Sequence, residues 1–133
     1  KAVLQAAQKE PGITFNAMCS IKNEDDFRSP NVPKVVTRKD GRLLYMSRAP
    51  IPTNKKLGFE KAMKQVCIYA YPRDVLIAFG SLKEKTPLES IEDLEILRLV
   101  ELGYEVKMIK VSGSSVAVDT PKDLEKVRAM IND

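Results

Sequence analysis

One short stretch limits the fold more than any other: "VAVDTPKDL", residues 116–124. A β-prone run stops on Asp119, and a helix signal begins at once. Thr120 is a good N-cap, and Pro121 suits the first helical position, where its missing N–H costs nothing. Asp123, three residues after Thr120, can answer it as the shorter partner of a capping box. Leu124, Val127, Met130 and Ile131 then recur at helical spacing. Asp119 is thereby held on a strand-to-helix corner, the place where open α/β sheets bind ligands. An aspartate there can equally do no more than complement the helix dipole.

The rest of the chain alternates strand and helix signals in the same way. Residues 1–9 read as a helix closed by the turn signal "EPG", and "ITFNAMCSI" as a buried strand. "KNEDDFRSPNVP" is a loop with room for one helical turn at Glu24 to Phe27. "KVVTRKDGRLLYMSR" predicts two strands joined across Asp40-Gly41, a strong hairpin signal. A proline-led connector, "APIPTNKKLGFEKAMK", precedes the strand "QVCIYAY". "PRDVLIAFGSL" reads as a helix. So does "KEKTPLESIEDLEILRLVELG", which predicts one long helix with a stripe of Leu88, Ile91, Leu94, Leu97 and Val100, and Gly103 as its C-cap. "YEVKMIKV" alternates as a strand. Strands interleaved with helices predict an α/β fold, with the hairpin protruding from the sheet.

The 133 residues suffice for one compact domain with one core. No apolar run is long enough for a transmembrane helix, and the opening "KAVLQAAQKE" has no signal-peptide core. The 22 basic and 18 acidic residues are interspersed, so the formal charge of +4 reads as a solvated surface rather than a nucleic-acid patch. Cys19 and Cys67 both sit in apolar strand-like runs, which predicts two packed, reduced thiols and a cytoplasmic location. With no histidine, imidazole catalysis and histidine-bound zinc are excluded. Chemistry falls to carboxylates, Lys, Arg, Tyr, backbone groups or a hard metal ion.

Taken singly, few residues stand out. Arg48 follows an apolar strand and can bind an anion, though a surface arginine is the ordinary case. Tyr69 and Tyr71 share one face of their strand, where core packing is the default. Glu89, Glu92, Asp93 and Glu95 stud the expected long helix, and such carboxylates usually face solvent.

Order and spacing together say more. The segments "NVPKVVTRKDGRLLYMSRAPIP", "YAY", "PLESIEDLEILR" and "VDTPKDLEKVR" occur in that order with short gaps. In this the chain resembles the CMP-Kdo synthetases (3-deoxy-manno-octulosonate cytidylyltransferases), from about Leu4 to Ile131. The family opens with a glycine- and arginine-rich nucleotide loop and carries a later metal-binding "Q-G-D-E-P" segment. Neither is present, and Lys1 corresponds to a point just after the latter. The resemblance therefore implies that residues 1–133 are the C-terminal portion of one cytidylyltransferase domain, with 28–64 as a hairpin and dimerisation subregion. It implies a Rossmann-like mixed sheet of the nucleotide-diphospho-sugar-transferase type, lacking the N-terminal nucleotide-loop half.

The resemblance also implies an activity: transfer of CMP from CTP to the 2-hydroxyl of the sugar acid Kdo, with release of pyrophosphate, for lipopolysaccharide biosynthesis. It makes Asp119 a catalytic Mg2+ ligand, and it assigns Arg48 to the sugar carboxylate and Tyr69 and Glu95 to sugar hydroxyls. Gln65 stands where the family often has histidine, among the substrate-binding positions. Cys67 stands for a glycine and Ile96 for a glutamine. These departures leave room for another 2-keto-3-deoxy acid, an eight-carbon amino analogue or a nonulosonate. The expected partners are CTP, the sugar acid, a second copy of the chain and the missing N-terminal portion. A non-catalytic dimerisation module of the same fold is the alternative reading.

Overall fold

The computed structural model describes residues 1–112, 118 and 121–131. The elements follow in the order α1 (Ala2–Lys9), β1 (Thr14–Ser20), α2 (Glu24–Arg28), β2 (Lys34–Thr37), β3 (Leu43–Ser47), β4 (Met63–Ala70), α3 (Arg73–Ser81), α4 (Pro87–Glu92), α5 (Ile96–Glu101), β5 (Val106–Lys110) and α6 (Pro121–Ile131). The helical turn expected near Glu24 is α2, capped by the Asn23 side chain, whose Oδ1 accepts the Asp26 N–H at 2.8 Å.

The strands form one mixed sheet in the order β3-β2-β4-β1-β5. β1 and β5 are parallel, and the other pairs are antiparallel. Side chains alternate across this sheet. Phe15 and Ala17 of β1 meet Val3 of α1 on one face. Met18, Val35, Met46, Val106 and Met108 meet Val75 of α3 and Ile96, Leu97 and Leu99 of α5 on the other. A third cluster joins Phe27 of α2 to Ile21 and Ala62, with the Phe59 ring centroid 4.9 Å from that of Phe27. This is the expected α/β architecture of a mixed sheet with flanking helices.

Three expectations are corrected. The long helix is two helices, because Asp93 takes a left-handed conformation (φ 51°) after α4. In a continuous helix the Glu92 and Asp93 carbonyls would accept N–H groups four residues on; here they accept the Arg48 guanidinium instead. The break leaves Ile91 79% exposed while Leu94 and Leu97 stay in the core. Cys67, expected to be packed, is exposed, since β2 pairs with β4 only at Lys64 and Met63 and leaves the rest of that edge uncovered. The hairpin forms across Asp40-Gly41 as expected, but its tip does not protrude freely. The Gly41 carbonyl accepts the Met108 N–H at 2.8 Å, and Arg42 pairs with Glu105 at 2.7 Å, which ties the tip to β5.

Candidate functional site

The unpaired half of β4 borders a cavity of about 620 Å³. One wall is β4 from Lys64 to Tyr69, a second is the loop Asn31–Pro33 before β2, and a third is Arg48 with the turn Asp93–Glu95 between α4 and α5. The early end of β2 pairing and the break at Asp93 create the space together.

Arg48 holds these walls in place. Its Nε donates to the Glu92 carbonyl at 2.6 Å, its Nη1 to the Pro30 carbonyl at 2.9 Å and its Nη2 to the Asp93 carbonyl at 3.0 Å. A guanidinium carries five N–H donors, so about two remain for a ligand. Beneath it, the Glu92 carboxylate accepts the Ser47 hydroxyl at 2.6 Å, the Arg48 N–H at 2.9 Å and the Tyr45 hydroxyl at 3.3 Å. Burial works against the Glu92 charge, but these hydrogen bonds outweigh it and hold the carboxyl below its ordinary range. Lys34 is fully buried and donates to the Ser29 carbonyl at 2.8 Å and the Arg48 carbonyl at 2.5 Å. Burial lowers its pKa, and the ammonium draws loop and strand end together.

On the opposite wall the Gln65 Nε2 donates to the Tyr69 hydroxyl at 2.7 Å. Tyr69 stacks on Tyr71 with ring centroids 5.6 Å apart and planes 14° apart. Burial, with nearby Cys67, Tyr71 and Glu95, raises the Tyr69 pKa well above the ordinary phenol range, so the ring keeps its proton. The cavity thus offers a cationic fork and the Glu95 carboxylate on one wall, across from a phenol and an amide. That set suits an acid bearing hydroxyl groups.

Known proteins are similar to this chain over most of its length. The 3-deoxy-manno-octulosonate cytidylyltransferase of Syntrophotalea carbinolica is 35% identical over 97% of this chain, and that of Escherichia coli 36% identical over 98%. The Geobacter metallireducens protein of the same name is 42% identical over 80% of it. A solved structure of CMP:2-keto-3-deoxy-manno-octonic acid synthetase complexed with CTP superposes with a TM-score of 0.83 at 36% identity, covering 98% of this chain. Over nearly all of its length the chain is similar to CMP-Kdo synthetases. It spans about half the length of these relatives: 55%, 53% and 46% of the three proteins and 54% of the solved structure. No protein-family model matches the chain.

Of the residues that the CMP-Kdo synthetase resemblance singles out, Arg48, Gln65, Tyr69 and Glu95 line the same cavity. Asp119 and Thr120, the expected N-cap of the last helix, lie outside the described residues. Ile96, which stands for a polar family residue, is 2% exposed and packs in the main core, not against the cavity. Among the described residues, no group of three acidic or cysteine side chains is placed to hold a metal ion, and no helix is long and apolar enough to cross a membrane.

Sequence reasoning missed the supports. Glu92 was expected in solvent and instead anchors the Arg48 backbone. Glu89, also expected in solvent, is 1% exposed and pairs with Arg98. Lys34 sits in a β-branched run, and an ammonium among such neighbours is the one sign in the sequence that it is buried.

Proposed function

We propose that this chain serves a CMP-Kdo synthetase, in which the 2-hydroxyl of Kdo attacks the α-phosphorus of CTP, the phosphorus–oxygen bond to pyrophosphate breaks, and CMP-Kdo leaves. The observation that carries the reading is the convergence of Arg48, Gln65 with Tyr69, and Glu95, from three separate segments of the chain, on one cavity. In this reading the two free Arg48 N–H groups take the sugar carboxylate as a fork. Tyr69, Gln65 and Glu95 take its hydroxyls. Held this way, the 2-hydroxyl meets the phosphate in one orientation, and positioning supplies much of the rate.

Mg2+ would neutralise phosphate charge when bound. The described residues do not form a magnesium cage, and Mg2+ ordinarily takes only one or two carboxylates beside the substrate phosphates. Asp119 is the carboxylate that the resemblance offers. The enzyme would be a cytoplasmic homodimer, with residues 28–64 at the subunit contact.

The test is CTP-dependent pyrophosphate release with Kdo and Mg2+, using the protein at its full natural length. Arg48→Met should raise the KM for Kdo by about 100-fold, as expected for loss of a charge-assisted pair. Asp119→Ala should abolish turnover. Unchanged kinetics in Arg48→Met would sink the sugar site, and wild-type turnover in Asp119→Ala would remove the metal role. A sedimentation measurement giving a monomer would reject the homodimer.

A further inference from the structure

Asn16 lies on β1 behind the cavity wall and is fully buried. The register between β1 and β4 slips between Asn16 and Ala17, and the Asn16 side chain fills the gap in the ladder. Its Nδ2 donates to the Val66 carbonyl and to the Ile68 carbonyl, both at 3.0 Å. Two carbonyl oxygens on one end of the amide leave no choice of orientation, because an oxygen placed there would face two acceptors. The Asn16 Oδ1 is therefore the end turned toward Gln65, and it accepts the Gln65 Nε2 at 3.2 Å. The same Nε2 gives its second proton to the Tyr69 oxygen.

We propose that Asn16 is the positioning residue of this site: it fixes the Gln65 amide, and through it the polarity of the Tyr69 hydroxyl. With both Gln65 protons engaged, the Gln65 Oε1 is left as an acceptor. With the Tyr69 oxygen accepting from Gln65, its own proton is the donor that remains for the cavity. An acceptor and a donor side by side match a ligand hydroxyl, which can give one hydrogen bond and take the other. A ketone only accepts and an ammonium only donates, so either leaves one member of the pair unmatched. Burial keeps the phenol protonated, as this role needs. That the hydroxyl belongs to a sugar acid rests on the proposed function; the positioning of Gln65 by Asn16 does not.

Two measurements on the full-length protein separate these claims. The first is proton exchange at the Gln65 side-chain amide by nitrogen-15 NMR without ligand. Slow exchange is expected in the wild type, and fast exchange in Asn16→Ala with the backbone spectrum otherwise kept. Fast exchange already in the wild type overturns the proposal. The second is calorimetric binding of Kdo. Asn16→Ala and Gln65→Met should each weaken it about tenfold, the worth of one lost hydrogen bond, and the double variant should be little worse than either. Multiplying losses, or an unaffected Asn16→Ala, would also overturn it. Should Asn16→Ala fail to fold, wild-type exchange and Gln65→Glu decide. That substitution cannot donate to Tyr69 when ionised and should bind Kdo more weakly than Gln65→Met; equal or tighter binding counts against the proposal. If the wild type binds no Kdo, the sugar-acid reading fails while the exchange experiment still judges Asn16.

Discussion

Arg98 and Glu89 meet across the break between α5 and α4 in a two-pronged pair, with Nε to Oε2 at 2.6 Å and Nη2 to Oε1 at 2.8 Å. Glu89 is 1% exposed, and the guanidinium lies 4.3 Å over the Phe79 ring while donating to the Phe79 carbonyl. The pair fastens two short helices that a single straight helix would not have needed to fasten. Removing one partner strands a buried charge. Arg98→Met should therefore cost about 3–5 kcal/mol of unfolding free energy. Adding Glu89→Leu should recover part of that loss, as denaturant titration of the single and double variants would show. A loss within experimental error would mean that the carboxylate finds water.

Glu92 gives a pH signature. Its carboxyl is held below the ordinary glutamate value of 4.5 by the Ser47, Arg48 and Tyr45 hydrogen bonds, which outweigh its burial. A depressed folded pKa means that the folded protein binds its proton less readily than the unfolded chain. The contribution is thus fully present above the ordinary value and fades as pH falls through the lower, folded one. Comparing wild type with Glu92→Gln by denaturation from neutral to acid pH should show a stability gap that narrows only in the acid range. A gap independent of pH would assign the effect to packing alone.

The architecture was legible where local chemistry is strong. Asp40-Gly41 announced the hairpin, and Pro121 marked the start of α6. The site was half legible: Arg48, Gln65, Tyr69 and Glu95 were reachable through the family resemblance, and residue spacing alone ranked none of them. What stayed hidden depends on tertiary partners. Apolar periodicity runs unbroken from Leu88 to Val100, and nothing local to Asp93 discloses that Arg48 will claim the carbonyls there. Glu89 and Glu92 look solvated until the elements that bury them are in place. Asn16 reads as one more strand residue until the register slip gives its side chain a gap to fill.

The two thiols should behave differently. Cys19 is fully buried and Cys67 is exposed on the cavity wall. In the native protein a water-soluble disulfide reagent should modify Cys67 alone, with Cys19 reacting only after denaturation. If the cavity takes Kdo, saturating Kdo should slow that modification. Labelling followed by peptide mass analysis identifies the site. Equal native reactivity at Cys19 would contradict the packing of β1.

The hairpin tip offers the last test, because Gly41 meets two demands there. Its φ of +87° lies in the region that side chains avoid, and a Cβ built on it would stand 3.3 Å from the Met108 carbonyl. The close approach is what lets the Gly41 carbonyl accept the Met108 N–H, so the turn and the β5 contact share one cause. Gly41→Ala should cost about 1–2 kcal/mol from the backbone conformation alone. It should also pull the tip away from β5, which predicts faster amide exchange at Met108 while Val35 and Met46 at the far end of the hairpin stay protected. Faster exchange throughout the hairpin would mean that the contact holds the whole hairpin in the sheet. Unchanged exchange at Met108 would show that the tip contact contributes nothing.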